Sequence, residues 1–394
     1  MTSPDGAAPA RSGPVRVFLL VVVLFLTVAS VPVTDDMAVR DVLDRRSRAV
    51  LTRDETAFLA DLDPHASPAF VDAQRALFRN LSAVPLAQWS YRVDDAAVPD
   101  GLTADADSLA TPRVGLEYRL RDVDTVPSVR DMAYVFTRRG GRWYLASDTA
   151  LERFGRHTWR GPWDFGPCAV LDGPAGFVLA HPGGEEFAAR VSAELPGAVD
   201  AVRAVWGPWN GRVAVYVPAG REELNALVGP GFAAGLAGIA VSDPGVASGQ
   251  RVVLASPLPT ASLRVLLRHE ITHVVARGAT ADGAPMWLLE GFADYVGYRG
   301  LGTGWASTLA AEVRAGRLGD LPSDADFRTD PEPAYQRSWS LVAYLAAVLG
   351  EPRLVGFYRL LARSSDVEGA LRTFGLDRAG VVRGWHDFLR STFP

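Results

Sequence analysis

The pattern of apolar and polar positions changes character three times along the chain. From Val17 to Val33 it is an apolar run, interrupted only by Thr27, Ser30 and Pro32, with Arg11 and Arg16 before it and Asp35 and Asp36 after it. That length is near the lower limit for a helix crossing about 30 Å of hydrocarbon. Arginine on the near side predicts that residues 1–14 stay in the cytoplasm and that the rest is exported. The small residues Val28, Ala29 and Ser30 also suit a cleaved signal peptide and a secreted product. Continuation of the run through Val33 favours a retained single-pass signal-anchor over 15–33, in the cell membrane, with everything after it extracytoplasmic.

From Met37 the period becomes helical, with Val39, Val42, Leu43, Val50, Leu51, Phe58 and Leu59 recurring at helical spacing, and a second helix is predicted over 68–81. The period then drops to two. Residues 89–93 and 114–120 alternate, and 132–137 and 143–147 flank Gly140 and Gly141, a hairpin turn. Helices followed by antiparallel strands read as α+β over 37–160. The segment 48–59 resembles the opening helix pair of the nuclear transport factor 2-like fold. That resemblance implies a curved antiparallel sheet wrapped by N-terminal helices, whose cone is either a ligand site or a filled core. No convergent polar set stands out, which favours the filled core.

Residues 158–167 hold Gly, Pro and Trp without a period and read as a linker. Beyond it, 176–180, 212–217 and 251–256 read as strands, and 185–205 and 221–228 as helices. The Gly- and Ala-rich stretch 229–249 lacks the order of a phosphate-binding loop and reads as a flexible surface connection. From Ala261 onward the pattern is almost entirely helical.

A length of 394 residues suits two domains, and 48% hydrophobic with 22% charged residues suits packed cores. The net charge is −5, and all 40 basic residues are arginines, scattered rather than patched. This argues against a nucleic-acid partner. The single cysteine, Cys168, can form no internal disulfide and no cysteine-based zinc cluster. No histidine lies near it in sequence to activate it as a nucleophile.

The chemistry concentrates in the third part. His269-Glu270-Ile271-Thr272-His273 is an HExxH motif within an apolar stretch free of Gly and Pro. Four residues turn a helix by about 400°, so the two imidazoles project from one face, one turn apart. There they can meet one zinc ion, with Glu270 beside them as the base for a zinc-activated water. A second apolar helix, 286–296, has Glu290 and Asp294 as its only acids, four apart and so on one face. A carboxylate from it can complete a His₂Glu set and leave a fourth position for water. Asp294 can accept the free ring N–H of a ligand histidine.

These residues resemble the gluzincin metallopeptidases, the peptidase MA-like clan of thermolysin and the aminopeptidases. The HExxH motif matches, as does Glu290-xxx-Asp294 within Trp287-Leu288-Leu289-Glu290-Gly291-Phe292-Ala293. The resemblance covers 169–394 and implies a small sheet followed by a mainly helical part, with Glu290 as the third zinc ligand. It also implies Tyr335, on a following helix, as the donor to the developing oxyanion, and the strand 251–256 as an edge that pairs with an extended substrate. No separate motif for a substrate's amino terminus is present, so aminopeptidase activity is not implied. His65, His157, His181 and His386 have no partner at ligand spacing, and solvated or capping roles are expected for them.

The chain thus reads as a Zn²⁺-dependent metallopeptidase acting on peptide or protein substrates outside the cytoplasm. The alternative is a non-catalytic exported binding module with a structural or vestigial zinc site. A zinc closed off by four protein ligands would favour that alternative, because catalysis needs an open position.

Overall fold

The computed structural model describes residues 35–209, 211–231, 237–242, 249–255 and 257–394. The apolar run and the expected anchor over 15–33 lie outside the described residues, as do Ser256 and much of the stretch 229–249. Among the described residues no helix is long and apolar enough to cross a membrane.

Helices α1 (Asp35–Thr52), α2 (Glu55–Leu59) and α3 (Pro68–Leu81) come first. The side chains of Asp54 and Ser67 cap α2 and α3 by accepting the N–H groups of Ala57 and Phe70. Strands β1 (Leu86–Asp94), β2 (Ser108–Ala110), β3 (Arg113–Leu120), β4 (Ser128–Met132), β5 (Val135–Arg139) and β6 (Arg142–Ser147) follow. Gly140 and Gly141 join β5 to β6 with φ of 55° and 80°, the paired positive values that a type I′ turn requires.

The strands form two antiparallel sheets, β1-β3-β4 and β2-β5-β6, where a single curved sheet was expected. The chain crosses from one to the other between β4 and β5, where pairing breaks only at Ala133 and Tyr134. The interior also holds a polar set that the sequence did not reveal. The buried Arg46 donates to Gln74 and to the Phe58 carbonyl, and Arg160 pairs with Asp148.

A five-stranded sheet follows, in the order β10-β11-β9-β8-β7. Its elements are β7 (Ala169–Gly173), β8 (Gly176–Ala180), α4 (Glu185–Trp206), β9 (Val213–Tyr216), α5 (Arg221–Val228), β10 (Gly238–Val241) and β11 (Arg251–Leu254). Strands β8, β9 and β11 run parallel and are buried along their whole length, as near-continuous apolar strands must be. Alternate residues serve two cores. Val178, Val215, Val252 and Leu254 face a core shared with α4 and the later helices. Phe177, Leu179, Ala214, Tyr216 and Val253 join the core of the first part.

Two expectations change here. The stretch 158–167 is a packed joint, not an open linker, because one sheet face needs the first part as its cover. Trp163 is 1% exposed and packs against Trp89, Tyr118 and Trp159. The edge strand is β10, not β11, since β11 pairs on both sides. Glycine and alanine around Ile239 and Val241 made this strand read as loop.

The remainder is helical, as expected: α6 (Thr260–Ala276), α7 (Met286–Gly297), α8 (Ser307–Arg314), α9 (Asp326–Thr329), α10 (Pro331–Leu349), α11 (Glu351–Ser364), α12 (Val367–Thr373) and α13 (Arg378–Thr392). Helix α7 lies between α6 and α10, and two glycines set its distance from each. A Cβ on Gly291 would meet the Ser338 carbonyl oxygen at 2.5 Å, and one on Gly297 would meet the Val265 carbonyl oxygen at 3.2 Å.

Candidate metal centre and its cleft

Helix α6 buries Leu263, Leu267 and Ile271 and turns His269 and His273 towards α7. Helix α7 buries Leu288 and Phe292 and brings Glu290 and Asp294 to the same seam. The Nε2 atoms of His269 and His273 lie 3.1 Å apart. Glu290 Oε2 is 3.3 Å from the first and 3.7 Å from the second. Tetrahedral bonds of about 2.1 Å set ligand atoms about 3.4 Å apart, so the three edges fit one zinc ion. Two imidazole nitrogens and one carboxylate suit zinc better than the all-oxygen cages of calcium or magnesium.

The surroundings fix these donors. Asp294, 7% exposed, accepts from His269 Nδ1 at 2.8 Å, which leaves Nε2 as the free donor of that ring. Burial pushes the His269 imidazole towards its neutral form, but the charge and hydrogen bond of Asp294 and the contact with Glu290 outweigh it and raise its pKa well above the ordinary value. Burial likewise opposes ionisation of Glu290. His273 and His269 outweigh it and hold the carboxyl well below the usual carboxylate range. A cation bound between these side chains would meet the same carboxylate charge.

Glu270, 5% exposed, is held by the N–H of Ala240 on β10, 2.6 Å from its Oε2. Tyr335, on α10, lines the same space. Burial, and then the carboxylates of Glu290, Asp294 and Glu270, push its phenol pKa up and keep it protonated. All six site residues expected from the sequence therefore gather around one seam.

Two cavities open on that seam, and both are walled by His269, Glu270 and Tyr335. One, of about 520 Å³, also touches β10, His273, Glu290, Arg277, Thr280 and Tyr358. The other, of about 580 Å³, is walled by Leu258, Val265, Leu266 and Trp305, with Trp305 stacked on Tyr298 at 3.6 Å. Arg277, Thr280 and Tyr358 went unnoticed in the sequence. The spacing 269–273–277 was the signal that could have found Arg277.

The remaining expectations divide. Burial, with help from Glu223 and Asp164, pushes the Cys168 thiol up to about 12, consistent with an inert cysteine. His181 is neither solvated nor a cap. It is buried, with Nδ1 3.0 Å from the Pro167 carbonyl and Nε2 3.0 Å from Glu223.

No family model matches the chain, and no curated protein matches it in sequence. Similar solved structures include a variant M1 zinc metallopeptidase from Deinococcus radiodurans bound to a Tyr-Ser-Ala substrate, at 15% identity and TM-score 0.31. That match covers 65% of this chain and 59% of the other. Another is leukotriene A4 hydrolase from Saccharomyces cerevisiae, at 12% identity and TM-score 0.27, covering 72% and 55% respectively. The chain thus spans less than two thirds of the length of these structures.

Proposed function

We propose that the chain is a zinc metallopeptidase, with His269, His273 and Glu290 as ligands and Glu270 as the base. The observation that carries this reading is the trio of donor atoms at zinc spacing on the wall of an open cavity. Among the described residues the metal-binding group consists of these three side chains, so a coordination position is left for solvent. That openness favours catalysis over a purely structural site.

A bound zinc would supply a Lewis acid for the scissile carbonyl and lower the pKa of a coordinated water. The chain's own groups do the rest. Glu270 accepts the proton of the attacking water and delivers it to the departing amine. Tyr335 donates its O–H to the carbonyl oxygen as that oxygen gains charge. Asp294 keeps the His269 ring in one tautomer. The free edge of β10 pairs with the extended peptide backbone. In this reading the apolar run 17–33 serves export or anchoring, and the reaction takes place outside the cytoplasm.

Three variants of the full-length chain test the proposal against a peptide library. Glu270→Gln is expected to keep its zinc and lose about 10²–10⁴-fold in cleavage rate. His269→Ala and Glu290→Ala are expected to lose both. Undiminished cleavage by Glu270→Gln would sink the assignment.

A further inference from the structure

We propose that Arg277 recognises a carboxylate on the substrate, one or two residues from the bond that is cut. This rests on the peptidase reading and adds a substrate class to it. Arg277 follows His273 by four residues, at the end of α6, so it continues the face that carries the two imidazoles. It lines the cavity that also holds His269, His273, Glu270 and Glu290.

Its guanidinium has no hydrogen-bond or ion-pair partner among the described residues, and its Nε is buried without one. Other arginines of the helical part are engaged: Arg264 pairs with Glu194, Arg299 with Glu351, and Arg337 with Glu312. Arginine does not lose its charge in a protein, so a half-buried, unpaired guanidinium facing a cavity is a site for an anion. Its planar fork matches a carboxylate by two parallel hydrogen bonds.

Geometry sets the distance. Four helical residues rise about 6 Å, and an extended peptide advances at most about 3.6 Å per residue. A carboxylate held by Arg277 therefore belongs to the first or second residue beyond the scissile bond. It is either the free C-terminal carboxylate of a short peptide or an Asp or Glu side chain. Away from the seam the other cavity is walled mainly by apolar side chains, Leu258, Val265, Leu266 and Trp305, and by Leu301, 55% exposed. The two halves together select a peptide that is apolar on one side of the cut and anionic on the other.

The test uses the full-length, zinc-loaded protein and three versions of one peptide: C-terminally amidated, free acid, and amidated with Glu near its end. In the wild type one of the acidic versions is expected to exceed the neutral amide in kcat/KM by about ten- to a hundred-fold, the range for a hydrogen bond to a charged group. The preferred version tells which carboxylate is read. In Arg277→Gln the acid-to-amide ratio should fall to near one, and Arg277→Lys should keep part of it. Zinc content and melting temperature report whether each variant is folded. The same peptides are titrated into the zinc-loaded Glu270→Gln protein by fluorescence anisotropy. A carboxylate preference in binding without turnover by the wild type would uphold the inference and sink the peptidase reading. Equal affinities for acid and amide, and a ratio unmoved by Arg277→Gln, would overturn the inference while leaving that reading intact.

Discussion

Asp294 touches no expected ligand atom, yet it decides which nitrogen His269 presents. Replacing it with Asn keeps the shape and removes the charge that the ring N–H meets at 2.8 Å. Asp294→Asn is expected to weaken zinc binding about 10- to 100-fold, measured by competition with a chromogenic chelator; unchanged affinity would remove Asp294 from the site. Tyr335→Phe should leave zinc affinity alone and lower kcat about 10²–10³-fold; an unchanged kcat would make the phenol a wall residue. The residues that carry this site were legible because helical spacing dictates which side chains share a face. The spacing of His269, His273, Glu290 and Asp294 is enough to pair them. Arg277 was not legible, because an arginine in the last turn of a helix is ordinarily explained by the helix dipole and solvent.

At the scale of elements, the site depends on how closely α7 can approach its neighbours. Gly291 sits where a Cβ would fall 2.5 Å from the Ser338 carbonyl oxygen, so α10 can rest directly on the backbone of α7. Gly291→Ala must push the helices apart, and overpacking of this kind costs about 1–3 kcal/mol. Because Glu290 is the preceding residue and Tyr335 lies on the displaced helix, the variant should lose zinc affinity along with stability. A melting curve and a zinc titration read both, and wild-type values in each would contradict the packing argument. The helices and central strands were readable from their period and apolar runs. Strand β10 was not, since glycine and alanine give no pleat pattern and only Ile239 and Val241 mark it. The edge that holds Glu270 through Ala240 therefore passed for loop.

For the whole molecule, the sheet is a partition between two cores. Its strands show apolar residues at every position, but nothing in a single sequence tells that Phe177, Leu179 and Tyr216 are covered by the first part of the chain. A chain beginning at Ala169 would bare that face and strip Arg251 of Asp124, which binds it at 2.7 Å through both oxygens. Such a fragment is expected to aggregate, and a soluble fragment with cooperative unfolding would count against the shared core. His181 locks the same joint. Both ring nitrogens face acceptors, and its pKa is raised, chiefly by the hydrogen bond to Glu223. A raised folded-state value means that the stabilisation is complete below the unfolded value of about 6.5 and is lost as pH rises through the folded value. The melting temperature should fall over that window in the wild type and less steeply in His181→Gln; equal slopes would contradict the assignment.

The zinc stoichiometry of the full-length protein bears most directly on the whole account. One zinc per chain in the wild type and in Glu270→Gln, and none in Glu290→Ala, is the expected result. Equal zinc in all three, or none in any, would contradict it.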